Sequence, residues 1–450
     1  MNDRKTLQDV IDSGMCVGCG ACVAADPSLS LRFDDLRQTW QPDGPGSEAA
    51  ADVCPAIQVD FPALHAAVFP GAEVTQFGVV HRVMLAQSVD RDRNLRASSG
   101  GLIKELLQHY LEEEHVDGVI ALDHIQGTLF QPALLRTPEE VDALPGSIYH
   151  INPLDKALKI LAENEGRFVV VGIPCQLEGM LSYIHRQAPH LAPRVHATVG
   201  LLCGWLYNHH ALRAVCRYKG VDYDAIEDIA YRGGGPVGKL RIQTPAKSVA
   251  VSRRVDFAYQ VAFDRSFNIP RCHTCVNHGN YLADIVVGDA WLPSTVFTKT
   301  GISLLIIRKA AAADVVDRLA ARGRIVCSTV SVQEIEESQK RRVVFGDFAY
   351  AYLDYLRAIG EHAPDMEGPN RPAARLRPRA EVETFHRELQ RKRALQQQRK
   401  YRTLWLRKAT IELPRLLHRY LDWFLVRILR VKSYAEERKE LDKDKIAMFK

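Results

Sequence analysis

Met15-Cys16-Val17-Gly18-Cys19-Gly20-Ala21-Cys22 is the stretch from which the rest of the chain is best understood, and Cys54-Pro55 follows it at a distance. The spacing C-x2-C-x2-C places three thiolates around one tight loop, and the two glycines allow the backbone to fold closely over a bound object. A fourth cysteine followed by proline completes the ligand pattern of a 4Fe–4S cluster. The sequence therefore predicts a cluster held by Cys16, Cys19, Cys22 and Cys54.

Other interpretations of these four thiols are a zinc site and unliganded cysteines, because thiolates also suit zinc. Zinc sites usually consist of two C-x2-C pairs, which a triplet with one remote cysteine does not resemble. A disulfide framework fits poorly, since nothing at the N-terminus resembles a secretion signal and we expect a reducing, cytoplasmic location. The ten cysteines of the chain favour metal or redox chemistry.

Charge is distributed unevenly along the 450 residues. The formal net charge is +5, but residues 371–450 hold 23 Lys and Arg against 10 Asp and Glu, a net charge of +13 that leaves −8 for the rest. This length predicts two or three domains, and no apolar run is long enough to span a bilayer. An acidic body with a basic tail points to a partner for the tail.

The region after the N-terminal domain has the pattern of an α/β unit. A linker is expected over 61–76, a strand over 79–88, a helix over 102–111 and a buried strand over 116–122. Between the first strand and the helix lies a glycine-rich turn of Ser98, Ser99, Gly100 and Gly101. A helix N-terminus preceded by such a turn can bind an anion such as phosphate. A serine N-cap followed by glycines that permit tight packing is an equally good interpretation.

A second set of cysteines follows two β-branched apolar runs, 167–173 and 195–202. The first run leads into Cys175 and the second into Cys203, so two candidate parallel strands each carry a cysteine at the carboxyl end, where open α/β sheets bind ligands. A C-x2-C pair, Cys272 and Cys275, supplies two more thiols, enough for a second cluster.

The alternative for the strand-end cysteines is burial as small hydrophobic residues. His273, between the paired cysteines, is expected to have a polar role and not to be a ligand. Cys216 lies in a stretch with a helical pattern and Cys327 in a predicted strand; neither has a partner nearby in sequence, and both are expected to be structural.

These motifs, taken in order, resemble the family of beta subunits of the coenzyme F-420 (deazaflavin) hydrogenases and dehydrogenases, which includes ferredoxin-dependent chlorophyll-pathway reductases. The resemblance covers about residues 10–310. It rests on the cysteine motifs and on four further segments: Ser98–Gly101, 172–176, Tyr231-Arg232-Gly233-Gly234-Gly235 and Ala283-Asp284-Ile285-Val286-Val287-Gly288-Asp289-Ala290-Trp291.

The resemblance implies a mixed α/β flavoprotein that carries FAD and two 4Fe–4S clusters. It implies that Cys175, Cys203, Cys272 and Cys275 hold a cluster near the flavin, that Ser98, Ser99, Gly100 and Gly101 bind the flavin, and that Asp289 lies near flavin or cluster. It also maps the segment 231–235, with Lys239, near the flavin ring, although Arg232 and Lys239 are equally consistent with ordinary solvated residues. No catalytic residue is assigned. Val276-Asn277-His278 departs from the family pattern and leaves the substrate side open.

We expect four parts: a ferredoxin-like domain (1–60), an N-terminal flavin-binding part (77–160), a part with the second cluster (161–345) and a basic helical tail (371–450). The tail should contain a linker, a solvated helix and, from Pro414, an amphipathic helix with Trp405 and Trp423 in the same region. Such a helix suits packing on the body, an oligomer contact, another partner or the inner face of a membrane. It has no platform for nucleic acid.

The expected function is an oxidoreductase that moves electrons between a ferredoxin-like carrier, or a deazaflavin coenzyme, and an unidentified organic two-electron acceptor. The alternatives are a non-catalytic electron-transfer subunit of a larger redox complex and a zinc-stabilised binding module. No Ser–His–Asp or paired-carboxylate arrangement stands out, so hydrolysis is not favoured.

Overall fold

A computed structural model describes residues 5–406 except 236–237, 254, 264, 293, 296–297, 299, 372–375 and 405. The chain divides into two compact units, Met1–Arg387 and Glu388–Lys450. The amphipathic segment expected from Pro414 onwards lies outside the described residues. Among the helices that the structure describes, none is long and apolar enough to cross a membrane.

The strands of the described part are short to medium in length, as is usual for an α/β protein. They are β1 (Leu31–Asp34), β2 (Thr39–Pro42), β3 (Gln58–Val59), β4 (Arg82–Ser88), β5 (Gly118–Gln126), β6 (Leu129–Leu135), β7 (Phe168–Gly172), β8 (Val195–Leu201), β9 (Asp228–Ala230), β10 (Lys239–Gln243), β11 (Ser248–Ser252), β12 (Ile285–Asp289), β13 (Ser303–Ile307), β14 (Ile325–Thr329) and β15 (Asp365–Met366).

The helices alternate with these strands along most of the chain. They are α1 (Leu7–Ser13), α2 (Ala21–Ala25), α3 (Glu48–Asp52), α4 (Phe61–Val68), α5 (Arg91–Arg96), α6 (Leu102–Glu112), α7 (Pro138–Ala143), α8 (Asp155–Glu163), α9 (Pro174–Arg186), α10 (His210–Lys219), α11 (Phe257–Ala262), α12 (Ala310–Ala321), α13 (Gln333–Ala358) and α14 (Arg379–Gln397). Three short 3-10 turns complete the set, at Pro189–Arg194, Arg265–Phe267 and Pro270–Thr274.

An eight-stranded mixed sheet forms the centre of the first unit, in the order β14-β4-β13-β12-β8-β7-β5-β6. β5, β7, β8 and β12 are parallel neighbours, whereas β13 and β14 run antiparallel to β4. Consequently β4, β7, β8 and β12 all end at the same edge of the sheet. In open α/β sheets this edge is the usual place for a ligand.

Both faces of the sheet are covered, because successive strand residues point to opposite sides. Val169 and Val287 pack on one side with α6, α7 and α12. Val170 and Val286 pack on the other side with α8, α9, α13 and the N-terminal helices α1 and α3. The N-terminal cysteine segment therefore shares a hydrophobic core with the sheet.

The structure confirms the mixed α/β class and the main strands expected from sequence: β4, β5, β7, β8 and β14 lie where apolar runs predicted them. The helices expected after the glycine-rich turn and around Cys216 are α6 and α10. The helix expected in the tail corresponds to α14, but it is not fully solvated, because Val382 and His386 on it are buried.

The structure also differs from the expected fold in the segment before β4. Residues 61–76 were expected to be a linker, but α4 occupies Phe61–Val68. The two prolines suggested a linker, yet Pro62 lies in the first turn of α4, where proline is well tolerated because its missing N–H has no intrahelical partner. Phe61 and Leu64 are buried in the core.

Candidate metal and cofactor centre

The first cysteine set lies where the N-terminal segment meets the body of the protein. Cys16 and Cys19 occupy the loop between α1 and α2, Cys22 lies within α2, and Cys54 follows α3. All four line one pocket, together with apolar residues such as Leu7 and Val10. The structure thus brings together the four thiols that the C-x2-C-x2-C…C-P pattern predicted.

Backbone N–H groups point at these sulfurs. The amide of Gly18 donates to Cys16 Sγ at 3.4 Å. Burial raises the pKa of Cys16 to about 12 and that of Cys54 to about 11, while amide donors, Gly18 for the first and Ala56 for the second, oppose the rise. Without a metal, the thiols in such a site would stay protonated. As thiolates bound to a metal, they are placed to accept N–H hydrogen bonds.

The two glycines of the loop contact the backbone of the body, whereas the sequence suggested contact with a bound group. Gly18 and Gly20 both have positive φ, +67° and +76°. A Cβ at Gly18 would lie 2.7 Å from the carbonyl oxygen of Asn152, and one at Gly20 would lie 2.3 Å from the Cα of Asp155. These glycines therefore let the loop approach the backbone of the body, and this contact, not only a bound group, requires them.

The second cysteine set gathers at the carboxyl edge of the central sheet. Cys175 lies in the first turn of α9 directly after β7, Cys203 follows β8, and the C-x2-C pair lies on and after the 3-10 turn Pro270–Thr274. Burial raises the pKa of the Cys175 thiol, and negative charge on its neighbours raises it further, namely on Cys203, Glu178, Cys272 and Cys275. Cys175 and Cys272 belong to one hydrophobic cluster. Cys272 and Cys275 line one pocket with His278, whose Nδ1 lies 3.0 Å from the carbonyl oxygen of Cys203, so the four predicted thiols lie in one region.

A second pocket adjoins the C-x2-C pair. It is lined by Cys272 and Cys275 and by aromatic and basic side chains, among them Trp205, His273 and His278. His273 is buried and packs edge-on against Phe385 at 5.1 Å between ring centroids. The backbone amide of Leu206 donates to Cys272 Sγ at 3.3 Å.

Helix α9 connects the two cysteine sets. Cys175 begins this helix, and Gly179, one turn further on, faces the first set: a Cβ there would lie 2.7 Å from Cys19 Sγ. One helical turn advances only about 6 Å. Cys19, Cys175 and Cys272 belong to the same hydrophobic cluster, with Val17.

A buried ion pair that the sequence did not suggest lies beside both sets. Arg271 Nη2 and Glu178 Oε2 are 3.1 Å apart, and neither side chain is exposed to solvent by more than 2%. Asn277 Nδ2 donates to the other carboxylate oxygen of Glu178 at 2.8 Å. The only signal in the sequence was position: Arg271 precedes Cys272, and Glu178 lies three residues after Cys175 on one helix.

Asp289 and the serine–glycine turn also meet at the carboxyl edge of the sheet. Asp289, the last residue of β12, pairs with Ser303 at the start of β13. Ser303 Oγ donates to Ser99 Oγ at 3.1 Å, and the amide of Gly100 donates to Ser303 Oγ at 2.9 Å. Arg232 Nη1 lies 2.7 Å from Asp289 Oδ2 and is almost fully buried, so Arg232 is not a solvated residue.

The serines of this turn already have protein partners. Ser98 Oγ accepts hydrogen bonds from the amide and the hydroxyl of Ser147, and Ser99 Oγ donates to the carbonyl of Ile302. The N-cap of α6 is Gly101, at φ +78°, and no side chain caps this helix. The serine N-cap interpretation was therefore wrong, because the turn brings Gly101 and not a serine to that position.

The expectation that the glycines of this turn permit tight packing is confirmed at Gly100. A Cβ there would lie 2.6 Å from the carbonyl of Ala86 on β4. Any anion at this turn would therefore meet backbone groups of the turn and of the first turn of α6.

Cys216 is buried in α10 and Cys327 lies in β14.

Two sequence profiles of one protein family match the chain. The profile for the N-terminal part of the coenzyme F420 hydrogenase/dehydrogenase beta subunit matches residues 83–159, and the profile for its C-terminal part matches residues 165–333. The second segment contains Cys175, Cys203, Cys272 and Cys275. The first cysteine set lies outside both segments.

Individual proteins show the same similarity. The coenzyme F420 hydrogenase subunit beta of Methanosarcina barkeri is 29% identical over 239 residues, which are 50% of this chain and 77% of that protein. The coenzyme F420-dependent sulfite reductase of Methanocaldococcus jannaschii is 24% identical over 327 residues, 67% of this chain but only 45% of that protein. The coenzyme F420 hydrogenase subunit beta of Methanococcus voltae is 24% identical over 59% of this chain and 95% of its own length.

A chain of the F420-reducing [NiFe] hydrogenase complex from Methanosarcina barkeri superposes with a TM-score of 0.49 and 19% identity over 65% of this chain and 97% of its own length. The two profiles together cover more than half of the 450 residues. The chain belongs to the family of coenzyme F420 hydrogenase/dehydrogenase beta subunits.

Proposed function

We propose that this chain is an iron–sulfur flavoprotein oxidoreductase that moves electrons between a one-electron carrier and an organic two-electron acceptor. The observation that carries the proposal is that helix α9 contacts both four-cysteine sets. Cys175 of the second set lies in its first turn, and Gly179 packs against Cys19 of the first set. Electron transfer through protein requires such short separations between cofactors. When bound, the 4Fe–4S clusters and FAD would supply the one-electron and hydride chemistry.

The donor sets fit clusters better than zinc. Zinc would draw all its thiolates to about 2.3 Å from one point, whereas the four cysteines of a 4Fe–4S cluster bind four different iron atoms around a larger group. The thiols of the first set line one shared pocket. A triplet of closely spaced cysteines with one remote cysteine suits the second arrangement better than the two C-x2-C pairs usual for zinc.

The roles of the residues follow from their positions. Cys16, Cys19, Cys22 and Cys54 would hold one cluster, and Cys175, Cys203, Cys272 and Cys275 the other. The turn from Ser98 to Gly101 and the carboxylate of Asp289, fixed by Arg232, would face FAD at the sheet edge. The apolar walls around both cysteine sets would exclude water.

Cofactor analysis of the anaerobically purified chain tests the proposal. We expect about eight irons and about one FAD per chain. Cys16→Ser and Cys175→Ser should each lower the iron content to about four per chain, since each removes one ligand of a different cluster. Cys216→Ser is the matched control, because Cys216 is buried in α10 and belongs to neither proposed ligand set, so this variant should leave iron unchanged. Zinc without flavin would overturn the proposal.

A second candidate is a non-catalytic electron-transfer subunit of a larger complex that handles a deazaflavin coenzyme. It is favoured by the relatives that are named as subunits, the hydrogenase beta subunits of Methanosarcina barkeri and Methanococcus voltae. The test is turnover by the purified chain with reduced ferredoxin or reduced deazaflavin as donor and a panel of acceptors. Reduction of the clusters without net turnover of any acceptor would favour this second candidate.

A further inference from the structure

The ion pair of Arg271 and Glu178 lies in the interior between the two cysteine sets. The side-chain exposures are 2% and 0%, so neither group reaches solvent. Arg271 directly precedes the second-set ligand Cys272, and Glu178 lies on α9 three residues after Cys175. Both charges are therefore anchored within the second set.

Both residues also extend to the first set. Arg271 Nε donates to the carbonyl oxygen of Pro55 at 3.0 Å, and Pro55 follows Cys54. On the helix, the residue after Glu178 is Gly179, which contacts Cys19. The pair is thus in contact with the segments that carry both sets.

Charges of opposite sign therefore lie beside both cysteine sets. Arg271 is next to Cys272 in the sequence and bonds to the residue after Cys54, and Glu178 lies on α9 between Cys175 and the glycine that packs against Cys19. A buried charge at such a position acts on any cluster that these thiolates bind.

Packing alone does not account for this pair. A buried ion pair is often no more stable than apolar residues of the same volume, because desolvation of the two charges offsets their attraction. Here both groups are also held by further partners: Glu178 accepts from Asn277, and Arg271 donates to Pro55. Such a fixed and oriented pair of charges is suited to an electrostatic role.

We propose that Arg271 and Glu178 are positioning residues that shift the reduction potentials of both clusters, Arg271 upward and Glu178 downward, an inference that rests on the proposed function. Reduction adds negative charge to a cluster, and the net charge and hydrogen bonds around a cluster tune its potential. The guanidinium favours the reduced form and raises the potential. The carboxylate opposes reduction and lowers it.

The test is a potentiometric titration of the full-length protein under anaerobic conditions, with both clusters followed by electron paramagnetic resonance. Arg271→Gln should lower the potentials, and Glu178→Gln should raise them. We expect each shift to be about tenfold in the reduction equilibrium, which is about 59 mV for a one-electron couple. Arg271→Lys retains the charge and should restore the potentials most of the way to wild type.

Arg324→Gln is the matched control. Arg324 forms ion pairs with Glu105 and Glu112 on α6, which packs on the opposite face of the central sheet from the N-terminal segment. This variant also removes an arginine from an ion pair, but on the opposite face of the sheet from the first cysteine set. Its cluster potentials should equal those of the wild type.

Iron content of the wild-type protein is measured first, because about eight irons per chain uphold the proposed function independently of the inference. With both clusters present, shifts of the same sign in Arg271→Gln and Glu178→Gln, or no shift in either, overturn the inference alone. If Arg271→Gln fails to retain iron, Glu178→Gln decides: a raised potential supports the inference and an unchanged one overturns it.

Discussion

Gly179 is the residue at which α9 makes room for the first cysteine set. Glycine in the middle of a helix normally destabilises a protein by about 1 kcal/mol relative to alanine, because its backbone is more flexible in the unfolded chain. Here a Cβ would lie 2.7 Å from Cys19 Sγ. The absence of a side chain thus permits the close approach of the two sets.

Gly179→Ala should therefore damage the first cluster selectively. The added methyl group would displace Cys19, whose sulfur is not free to move once bound to iron. We expect iron to fall from about eight to about four per chain, with the signal of the second cluster retained. Measurement of iron and sulfide together with resonance spectra of the reduced protein checks this.

The matched control for that substitution is Gly346→Ala in α13. The nearest atom to a Cβ there is Asn370 Nδ2 at 3.4 Å, an ordinary contact with the end of a side chain. This variant should keep all its iron. If Gly179→Ala behaves like Gly346→Ala, the contact between α9 and the first set is not as close as the structure indicates.

At the scale of elements, buried histidines join the β5–β6 hairpin to the segments that precede α8 and α10. His150 Nε2 donates to the carbonyl of Thr128 at 2.7 Å, and Nδ1 accepts from the Tyr231 hydroxyl at 2.5 Å. The ring of His209 lies 4.5 Å from that of His150 and is likewise bonded through both nitrogens. This arrangement suits two neutral imidazoles.

The pair predicts a loss of stability in mild acid. Burial lowers the pKa of His150 to about 4, while the same residue in the unfolded chain titrates near 6.5. Above pH 6.5 both states are neutral and the group has no effect. As the pH falls below 6.5 the unfolded state binds the proton first, so stability declines until about pH 4. At pH 5 His150 alone should reduce the free energy of unfolding by about 2 kcal/mol.

Urea unfolding at pH 7 and pH 5, under anaerobic conditions, measures this effect. His150→Gln should lower the free energy of unfolding at pH 7. It should also reduce the difference in that free energy between pH 7 and pH 5 by about 2 kcal/mol. His190→Gln, at an exposed position, is the control and should behave as the wild type. An unchanged pH difference in His150→Gln would contradict the assignment of a buried neutral histidine.

For the whole molecule, all eight proposed ligands and the central sheet lie in the first compact unit, Met1–Arg387. The basic residues that distinguish the tail lie largely after this unit. Cofactor binding should therefore be independent of the end of the chain, whatever partner the tail has.

Deletion of residues 407–450 should leave about eight irons and about one FAD per chain, because no proposed ligand lies in that segment. Iron, sulfide and flavin analysis of the shortened protein measures this, with Cys16→Ser in the full-length chain as the reference for loss of one cluster. A shortened chain with less iron than the full-length protein would show that the tail takes part in cluster assembly.

The sequence by itself determined the elements whose signals are local. Apolar runs located β7 and β8, and their ends placed Cys175 and Cys203 at one edge because parallel strands end together. Cysteine spacing grouped Cys16, Cys19 and Cys22, since a C-x2-C-x2-C loop brings its thiols together within a few residues. These features depend on neighbours along the chain, which a sequence shows directly.

Only the tertiary structure decided how distant segments meet. Glu178 and Arg271 are 93 positions apart, and Arg232 is 57 positions from Asp289, so neither pairing has a local signal. The same holds for Gly20, whose contact is the backbone of Asp155 and not the loop's own cysteines. The physical reason is that burial of a charge or the lack of a Cβ depends on what packs there, and packing partners are chosen by the whole fold.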